Sequence, residues 1–244
     1  MKLILVWYWK MWKEISNIAL EKWHNIVDII EIGDNISNIL WKNYDVLIDF
    51  TNPTTILENI NFYAKHNIKA VIGTTWWYEH INTVKKMFQN SDGALLWASN
   101  FSIWVNIFWE IIKTSSQIIN HFDDYDVFWH EFHHNMKIDS PSGSAITTAN
   151  IILENIDRKS KLITEELQRK IEPEELHFSS SRWWYINGTH SIFFDSLFDN
   201  IEIRHTAKSR KWFATWAVLG AEWLSNKKGY FEINDLMKDI TTRK

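Results

Sequence analysis

Alternation of strands and helices is the feature of this 244-residue chain that most constrains its fold. Through the first hundred residues, short apolar runs alternate with amphipathic segments, and the connections between them are short. This order is typical of a parallel sheet that helices cover on both faces. The predicted strands are residues 2–6, 26–31, 45–50, 69–73 and 94–98, and the predicted helices are residues 10–22, 53–66 and 78–88.

The pattern changes after Asn100, where longer helices and extended runs replace the regular alternation. Turn-like separators between the later extended runs favour antiparallel or mixed pairing, and the charged segment 157–175 is expected to form a loop or a short helix. We therefore predict an α/β domain followed by an α+β domain, with a boundary near residue 101. The elements expected in this part are helices over 103–121, 142–156 and 212–225, strands over 125–132, 176–182, 188–195 and 200–206, and a short final element at 230–233.

Composition excludes several classes of protein. Hydrophobic residues make up 45% of the chain and charged residues 23%, which excludes disorder. A net charge of −4 argues against binding of nucleic acid by bulk electrostatics. The chain has no cysteine, which excludes disulfides and thiolate metal sites and fits a reducing cytoplasm. No apolar run is long enough for a membrane span and no secretory leader is recognisable, so we expect a cytoplasmic protein without a membrane partner.

The first strand leads into a segment that contains Trp7, Trp9 and Trp12. With glycine at these positions the segment would be G-Y-G-K-M-G, the dinucleotide-binding fingerprint between a strand and a helix. Glu31 follows Trp12 by 19 residues, where an acid binds the cofactor ribose. The fingerprint requires glycine because backbone N–H groups must approach the pyrophosphate closely. Indole side chains at these positions would fill the space of the cofactor.

Tryptophan recurs where glycine is expected: it occurs 16 times in the chain, and glycine occurs 7 times. We hypothesise that UGA codons, which some bacterial lineages read as glycine, are written here as tryptophan. Replacing 13 of the 16 would give 20 glycines, about 8% of the chain and close to ordinary usage. Trp77, Trp109 and Trp223 are expected to be true tryptophans, whereas Trp41 and Trp97 are ambiguous. The alternative is an aromatic-rich ligand-binding surface. The recurrences after the fingerprint include Trp76, Trp183, Trp184, Trp212 and Trp216.

A second candidate site is the polar segment 130–144, which contains three histidines, a lysine and a Ser-Gly-Ser turn. His133 and Lys137 are suited to act as charge partner and proton donor for an anionic substrate. The backbone N–H groups of residues 142–144 lie at a predicted helix N-terminus, where a carboxylate binds favourably. A metal site is the alternative for the His133–His134 pair, but no third ligand stands at zinc spacing and the lysine would repel a cation. The Pro-Ser-Gly sequence is also compatible with a plain helix start.

These motifs together resemble the 4-hydroxy-tetrahydrodipicolinate reductase family, also called dihydrodipicolinate reductases, of bacterial lysine and diaminopimelate synthesis. The resemblance spans nearly the full length, and the run from His133 to Ser144 is its most specific part. The fingerprint alone would be a weak signal. The other matching segments are Gly73-Thr74-Thr75, Ala98-Ser99-Asn100-Phe101-Ser102, Arg182, Gly188-Thr189-His190 and His205-Thr206-Ala207-Lys208-Ser209-Arg210.

The resemblance implies a division of labour between two domains. Residues 1–101, completed by about 212–244, would form a Rossmann-type dinucleotide-binding domain. Residues 102–211 would form an α+β substrate and oligomerisation domain that builds a homotetramer through its mixed sheet. NADH or NADPH would donate hydride to the conjugated imine of a cyclic dicarboxylate, with loss of water. The alternatives are a related dehydrogenase acting on diaminopentanoate or aspartate, and a non-catalytic oligomer if the tryptophans are literal.

The resemblance also implies residue roles at matching positions. His133 would be the catalytic acid/base and Lys137 a proton donor. Glu31 would favour NADH, while Ile32 stands where some relatives place an arginine for a 2′-phosphate, for which Lys10 could partly compensate. The residues expected to hold the substrate carboxylate are His134, Ser142, Gly143 and Ser144. The residues expected to hold the cofactor are Trp7, Tyr8, Trp9, Lys10, Met11, Trp12, Glu31, Gly73, Thr74, Thr75, Ala98, Ser99, Asn100 and Phe101.

Overall fold

The structure, a computed structural model, describes residues 1–7, 11–31, 33–75, 77–89, 91–209 and 211–242, with only the backbone of Trp7, Met11 and Tyr78. The strands are β1 (Lys2–Trp7), β2 (Asn25–Ile30), β3 (Val46–Phe50), β4 (Lys69–Ile72), β5 (Ala94–Trp97), β6 (Asp126–His133), β7 (Lys161–Ile163), β8 (Glu175–Arg182), β9 (Thr189–Asp195), β10 (Asn200–Thr206) and β11 (Gly229–Glu232). The helices are α1 (Met11–Glu21), α2 (Ile56–Lys65), α3 (Ile81–Gln89), α4 (Ile103–Ile119), α5 (Gly143–Asn155), α6 (Lys211–Leu224) and α7 (Ile233–Thr242), and short 3₁₀ helices cover Ile36–Trp41 and Tyr78–His80.

The chain divides into two compact units, the first formed by Met1–Ile103 with Lys211–Lys244 and the second by Trp104–Arg210. The first unit contains a six-stranded parallel sheet in the order β11-β5-β4-β3-β1-β2. Alternate residues of each strand point to opposite sides of this sheet, and an apolar cluster is buried on each side. Leu3 and Leu5 therefore pack in one apolar cluster with α6, whereas Ile4 packs in another cluster with α2. The predicted Rossmann-type parallel sheet is confirmed.

The order of the strands creates a switch point in this sheet. β1 pairs with β2 on one side and with β3 on the other, so the connections from β1 and β3 leave the sheet in opposite directions. Open α/β sheets bind ligands in the crevice at the carboxyl ends of the strands that flank such a point. In this chain, Thr51 follows β3 at this edge, and Glu31 follows β2, the neighbour of β1.

The second unit contains a five-stranded sheet in the order β10-β9-β6-β8-β7. β9 pairs antiparallel with β6 and β10, whereas β8 pairs parallel with β6 and β7, so the predicted mixed sheet is confirmed. Apolar residues of α4 and α5, among them Ile112 and Ile152, share a buried cluster with Trp129 of β6 and Phe178 of β8. Within the described part of the chain, no helix combines the length and apolarity needed to cross a membrane.

Two elements differ from expectation. β7 lies in the charged segment that was expected to be a loop or a short helix, and its three residues pair with the start of β8. Tertiary pairing decides this segment, because three residues carry too little periodicity to predict a strand. α7 follows β11, where only a short final element was expected. Its apolar residues follow a helical spacing that the prediction did not use, at Ile233, Leu236, Met237 and Ile240.

Candidate active site

The acid and base candidates of the second unit lie at the carboxyl end of β6. Strand alternation puts Glu131 and His133 on the same face as Trp129, the face that packs against α4 and α5. The side chains of Glu131 and His133 are therefore buried, which is unusual for an ionisable pair and requires compensation by polar partners.

The Glu131 carboxylate is surrounded by donors. Its Oε1 accepts from the Ser142 backbone N–H at 3.3 Å and from Ser180 Oγ at 3.1 Å, and Arg182 Nη1 lies 3.6 Å away. Its Oε2 lies 3.6 Å from Nδ1 of His133 and 3.8 Å from Nδ1 of His190. Register explains the second histidine, because Glu131 of β6 lies directly opposite His190 of β9. Glu131 is thus the polar centre to which the elements of the site converge.

Both histidines are neutral at physiological pH. Burial lowers the pKa of His133 to about 4, and the nearby charges of Lys137 and Arg182 lower it further. Burial also lowers the pKa of His190 to about 3, with His133 as a further cause. A neutral imidazole has one N–H donor and one acceptor nitrogen, so His133 is poised to accept a proton and does not carry a spare one.

Lys137 is the cation that stands beside this pair. Its Nζ donates to both carboxylate oxygens of Asp139, at 2.8 and 2.9 Å, and its side chain is partly exposed. Burial works against ionisation of Asp139, but the hydrogen bond and charge of Lys137 hold the pKa of its carboxyl below the usual value. Asp139 therefore fixes the position of the Lys137 amino group.

The start of α5 is the segment where a substrate carboxylate was expected to bind. Ser142 is the N-cap: its Oγ accepts from the Ala145 N–H at 3.1 Å, while its own N–H donates to Glu131. The Ser142 side chain is buried, and its hydroxyl keeps its own proton as a donor, so its expected contact with substrate stays a prediction. Gly143 is exposed, with open space where a side chain would stand, and Ser144 and His134 are partly buried.

Gly188 shapes the other edge of the His133 ring. Its φ of +154° is unfavourable for residues with a side chain, and a Cβ there would lie 3.0 Å from His133 Nε2. Its carbonyl oxygen accepts from the Ala207 N–H at 2.8 Å, which fixes this close approach. Position 188 therefore requires glycine, because a side chain there would crowd Nε2 of His133.

An open cavity lies at the switch point of the first unit's sheet, and its space of about 470 Å³ includes open solvent. Glu31 is exposed at its rim, and its N–H donates to Asp34 Oδ2 at 2.8 Å. The residues that line the cavity fit the ribose end of a nicotinamide dinucleotide, because a carboxylate there can accept from ribose hydroxyls. The lining comprises Val6, Ile30, Glu31, Gly33, Asp34, Ile36, Thr51, Asn52, Thr55 and Asn59.

The turn after β3 is fixed by Asp49, a buried residue that the sequence analysis did not select. Its carboxylate accepts from the Thr51 N–H and hydroxyl, from Asn59 Nδ2 at 3.0 Å and from the Tyr63 hydroxyl at 2.8 Å. Burial raises the pKa of Asp49, and these hydrogen bonds oppose that effect. The sequence Asp-Phe-Thr at the end of a predicted strand could have indicated this buried carboxylate.

Several expected cofactor residues form neighbouring turns at the same edge of the sheet. Gly73 leaves room for the Phe50 ring, since a Cβ would lie 2.2 Å from its Cε1 atom. Thr74 donates from its hydroxyl to the Thr51 carbonyl, and the buried Phe101 ring lies 5.9 Å from that of Phe50. The remaining members are Thr75, partly buried; Ala98, buried; Ser99, exposed; and Asn100, whose side chain accepts from the Ser102 N–H.

The fingerprint segment is described only in part. Tyr8, Trp9 and Lys10 lie outside the described residues, as does Ile32, and for Trp7 and Met11 only the backbone is described. Trp12 is partly buried and packs against the cluster between the sheet and α6.

Comparisons with known proteins decide the family. The sequence family described as "Dihydrodipicolinate reductase, N-terminus" matches residues 14–101, and "Dihydrodipicolinate reductase, C-terminus" matches residues 105–237. The 4-hydroxy-tetrahydrodipicolinate reductase of Christiangramia forsetii is 38% identical over 242 residues, which cover 98% of this chain and 99% of that protein. The chain belongs to the dihydrodipicolinate reductase family.

A further relative supports this assignment, and two solved structures share the fold. The 4-hydroxy-tetrahydrodipicolinate reductase of Buchnera aphidicola is 36% identical over 221 residues, or 87% of this chain and 81% of that protein. A dipicolinate-bound dihydrodipicolinate reductase from Paenisporosarcina sp. TG-14 has the same fold, with a TM-score of 0.75 at 19% identity over 95% of this chain and 97% of that one. An amine dehydrogenase from Mycobacterium smegmatis shares the fold more distantly, with a TM-score of 0.57 at 10% identity over 95% of this chain and 94% of that one.

Membership of the dihydrodipicolinate reductase family confirms the predicted oxidoreductase function, its NADH or NADPH cofactor and its place in lysine and diaminopimelate biosynthesis. The amino-acid dehydrogenase alternative is not favoured. The structure adds three residues that had no expected role: Glu131, His190 and Asp139. Ligand atoms of Glu131, His133 and His190 lie within 4.8 Å of one another, a grouping that sequence spacing does not indicate because His190 comes from β9.

Proposed function

We propose that His133 and Lys137 carry the proton chemistry of this dihydrodipicolinate reductase, and that the start of α5 holds a substrate carboxylate. The observation that carries the proposal is the pairing of a buried, neutral His133 with the Lys137 ammonium, which Asp139 holds at 2.8 Å. Neutral imidazole and ammonium are the complementary acceptor and donor that proton transfer near pH 7 requires.

The chain's own residues have distinct tasks in this proposal. A bound NADH or NADPH supplies the hydride that reduces the ring of the cyclic imine dicarboxylate. Lys137 Nζ supplies the proton to the reduced ring, and its partial exposure lets solvent return one. His133 accepts a hydrogen bond or a proton at its free nitrogen. Gly143 and Ser144, in the first turn of α5, present the positive end of the helix dipole to a carboxylate.

Lysine and histidine substitutions test these roles. In a chain with glycine in place of Trp7, Trp9 and Trp12, we expect Lys137→Met and His133→Gln to lower kcat by roughly 100-fold or more, the range for loss of a general acid or base. Lys170→Met removes an exposed lysine of the same unit and is the matched control. A kcat of Lys137→Met equal to that of the parent protein would contradict the role of Lys137 as proton donor.

We further propose a preference for NADH. The rim of the first-unit cavity carries the carboxylates of Glu31 and Asp34, which favour ribose hydroxyls and repel a 2′-phosphate.

We propose a homotetramer that assembles through the outer face of the second unit's sheet, in the cytoplasm. Phe128 is 43% exposed on that face and stacks on Phe193 at 4.7 Å between ring centroids. Exposed aromatic residues on a sheet face are typical of subunit interfaces. Phe128→Asp is expected to shift the molar mass in light scattering from tetramer toward smaller species. An unaltered chain that is monomeric at micromolar concentration would contradict the proposal.

We propose that most tryptophans are glycine in the natural gene product, as UGA recoding predicts. Trp23 supports this: its φ is +62°, its N–H donates to the Leu20 carbonyl at 2.9 Å, and the His24 N–H donates to that of Ala19 at 2.8 Å. These two bonds define a Schellman motif at the end of α1, with Trp23 at the position that glycine favours. Trp184 also has a positive φ, of +34°, which is strained for a bulky side chain.

Hydrogen bonds of the indole Nε1 and packing of the indole ring indicate which tryptophans are true. Trp77, Trp109 and Trp223, which were expected to be true, all donate from Nε1 to an oxygen, at 2.9, 3.1 and 2.8 Å. Trp97 donates to the Thr74 carbonyl and is assigned as true. Trp129 and Trp216 both have a buried Nε1 without a partner among the described residues, but the Trp129 ring is buried in the core against Phe178, whereas Trp216 is only partly buried. Trp129 is therefore assigned as true and Trp216 is not. The positions that we propose to be glycine in the natural gene product are therefore Trp7, Trp9, Trp12, Trp23, Trp41, Trp76, Trp104, Trp183, Trp184, Trp212 and Trp216.

A chain with glycine at these eleven positions is called the glycine-restored chain below. Peptide mass spectrometry of the protein from its native host tests the proposal directly, and glycine is expected at position 23. Tryptophan at that position would overturn it.

A further inference from the structure

Three buried polar atoms lie close together at His133, one of the two residues to which we assign proton transfer. Glu131 Oε2, His133 Nδ1 and His190 Nδ1 each lack a hydrogen-bond partner within the described part of the chain, although they lie within 4.8 Å of one another. Buried polar atoms are nearly always hydrogen-bonded, so three orphans around one point indicate a shared interaction. The separations of 3.6 and 3.8 Å from Oε2 to the two nitrogens are slightly longer than hydrogen bonds and close with small side-chain rotations.

We propose that Glu131 is a positioning residue that holds His133 and His190 in the tautomer with the proton on Nδ1, so that His133 presents Nε2 as an acceptor. A carboxylate oxygen only accepts hydrogen bonds, so an imidazole that bonds to it must place its proton on the facing nitrogen. This inference rests on the proposed role of His133 and adds the residue that sets its protonation pattern.

The hydrogen-bond and charge partners of Glu131 Oε1 explain why Glu131 Oε2 is available to the two histidines. The Ser142 N–H, the Ser180 hydroxyl and the Arg182 guanidinium all lie on the Oε1 side of the carboxylate. These groups come from the start of α5 and from β8, so the carboxylate plane is fixed by two elements besides β6. The guanidinium also offsets the negative charge of Glu131 in this buried place.

Neutrality of the two histidines makes the tautomer matter. Since burial keeps both imidazoles neutral at neutral pH, each has one proton to place on one of two nitrogens. With the proton of His133 on Nδ1, its Nε2 lone pair faces the edge that Gly188 leaves open. The other tautomer would turn a lone pair toward Oε2 and remove the acceptor from Nε2.

A bound metal ion is the competing explanation for the three atoms. One carboxylate and two imidazole nitrogens are suitable zinc ligands. However, Arg182 Nη1 lies 3.6 Å from the same carboxylate, and the Lys137 charge acts on both histidines. A dication would add to this positive charge, whereas two N–H donors would not.

Nitrogen-15 NMR of the histidine rings tests the proposal without reference to activity. We expect Nδ1-protonated tautomers for His133 and His190, in the printed sequence and in the glycine-restored chain alike, with assignments from His133→Gln and His190→Gln. Glu131→Gln is expected to mix the tautomers, because an amide can donate as well as accept. Nε2-protonated His133 in the unaltered chain, or a stoichiometric bound metal in the purified protein, would overturn the proposal.

Kinetics of the glycine-restored chain add a second readout. Glu131→Gln is expected to lower kcat by about 10- to 100-fold, as loss of a group that orients a functional histidine does, with a much smaller change in KM. Glu131→Asp should recover part of kcat. The matched control is Glu175→Gln, which removes another buried carboxylate of this sheet that pairs with Arg169. An equal loss of kcat in both variants, or unchanged tautomers in Glu131→Gln, would reduce Glu131 to a structural residue.

Discussion

Arg182 donates from Nε to the backbone carbonyl oxygen of Lys137 at 3.2 Å, and its Nη2 donates to the carbonyl of Asp139. The end of β8 thereby fixes the backbone that carries the Lys137–Asp139 pair. The guanidinium is a rigid fork, so both bonds depend on the planar group and not only on its charge. Arg182 is thus the residue that holds the proposed proton donor beside His133.

Replacing this arginine by lysine keeps the charge but loses the fork. We expect Arg182→Lys to lower kcat/KM by about 10-fold or more, because two hydrogen bonds from a charged donor are lost. Steady-state kinetics of the glycine-restored chain measure this effect. Arg169→Lys is the control, since that arginine pairs with Glu175 away from the site. Equal kcat/KM in Arg182→Lys and the parent would show that only the charge matters.

Gly188 is predicted to tolerate no side chain. In Gly188→Ala, the new Cβ would lie 3.0 Å from His133 Nε2 and the backbone would be strained at a φ of +154°. We expect the variant to lose about 1 kcal/mol or more of unfolding free energy and most of its activity. Gly143→Ala adds a methyl group to open space in α5 and serves as the stability control. Full activity of Gly188→Ala would contradict the tight approach to His133.

Glu31 is predicted to set the cofactor preference. Glu31→Ser removes the carboxylate that accepts from ribose hydroxyls, so kcat/KM for NADH should fall by about 10-fold and the NADPH to NADH ratio should rise. The initial rates with each cofactor measure this ratio. Glu79→Ser changes an exposed acid of the same unit and should leave the ratio unchanged. A parent protein that prefers NADPH would contradict the prediction.

Stability is predicted to depend on the two buried histidines. Burial is the main cause that lowers the pKa of His190 to about 3 and of His133 to about 4, from an ordinary value of 6.5. Between these values the unfolded chain binds more protons than the folded one, so the unfolding free energy falls as the pH drops from about 6.5 toward 3. Urea unfolding at several pH values should show a weaker dependence in His190→Gln. His121→Gln, at an exposed histidine, should show the parental dependence.

Much of the fold was predictable because the relevant signals are local. The central strands of the first unit are continuous apolar runs that become buried on both faces, and the helix start at Ser142 follows a recognised capping pattern. His133 and Lys137 were recognised by residue type within the segment 130–144, whereas Glu131 of the same segment was missed because its role depends on partners from other elements. Glu131 and His190 meet because β6 pairs with β9, and the sequence contains no local trace of that register. The three-residue strand β7 was missed for the same reason.

The central claim is that the natural product of this gene is a dihydrodipicolinate reductase whose cofactor turn contains glycine. The most direct test measures NADH and NADPH oxidation by the printed sequence and by the glycine-restored chain, with substrate supplied in situ by the preceding synthase. We predict reduction by the glycine-restored chain alone. A folded, nucleotide-binding glycine-restored chain that does not reduce the substrate would contradict the reductase assignment, and equal activity of both chains would contradict the recoding.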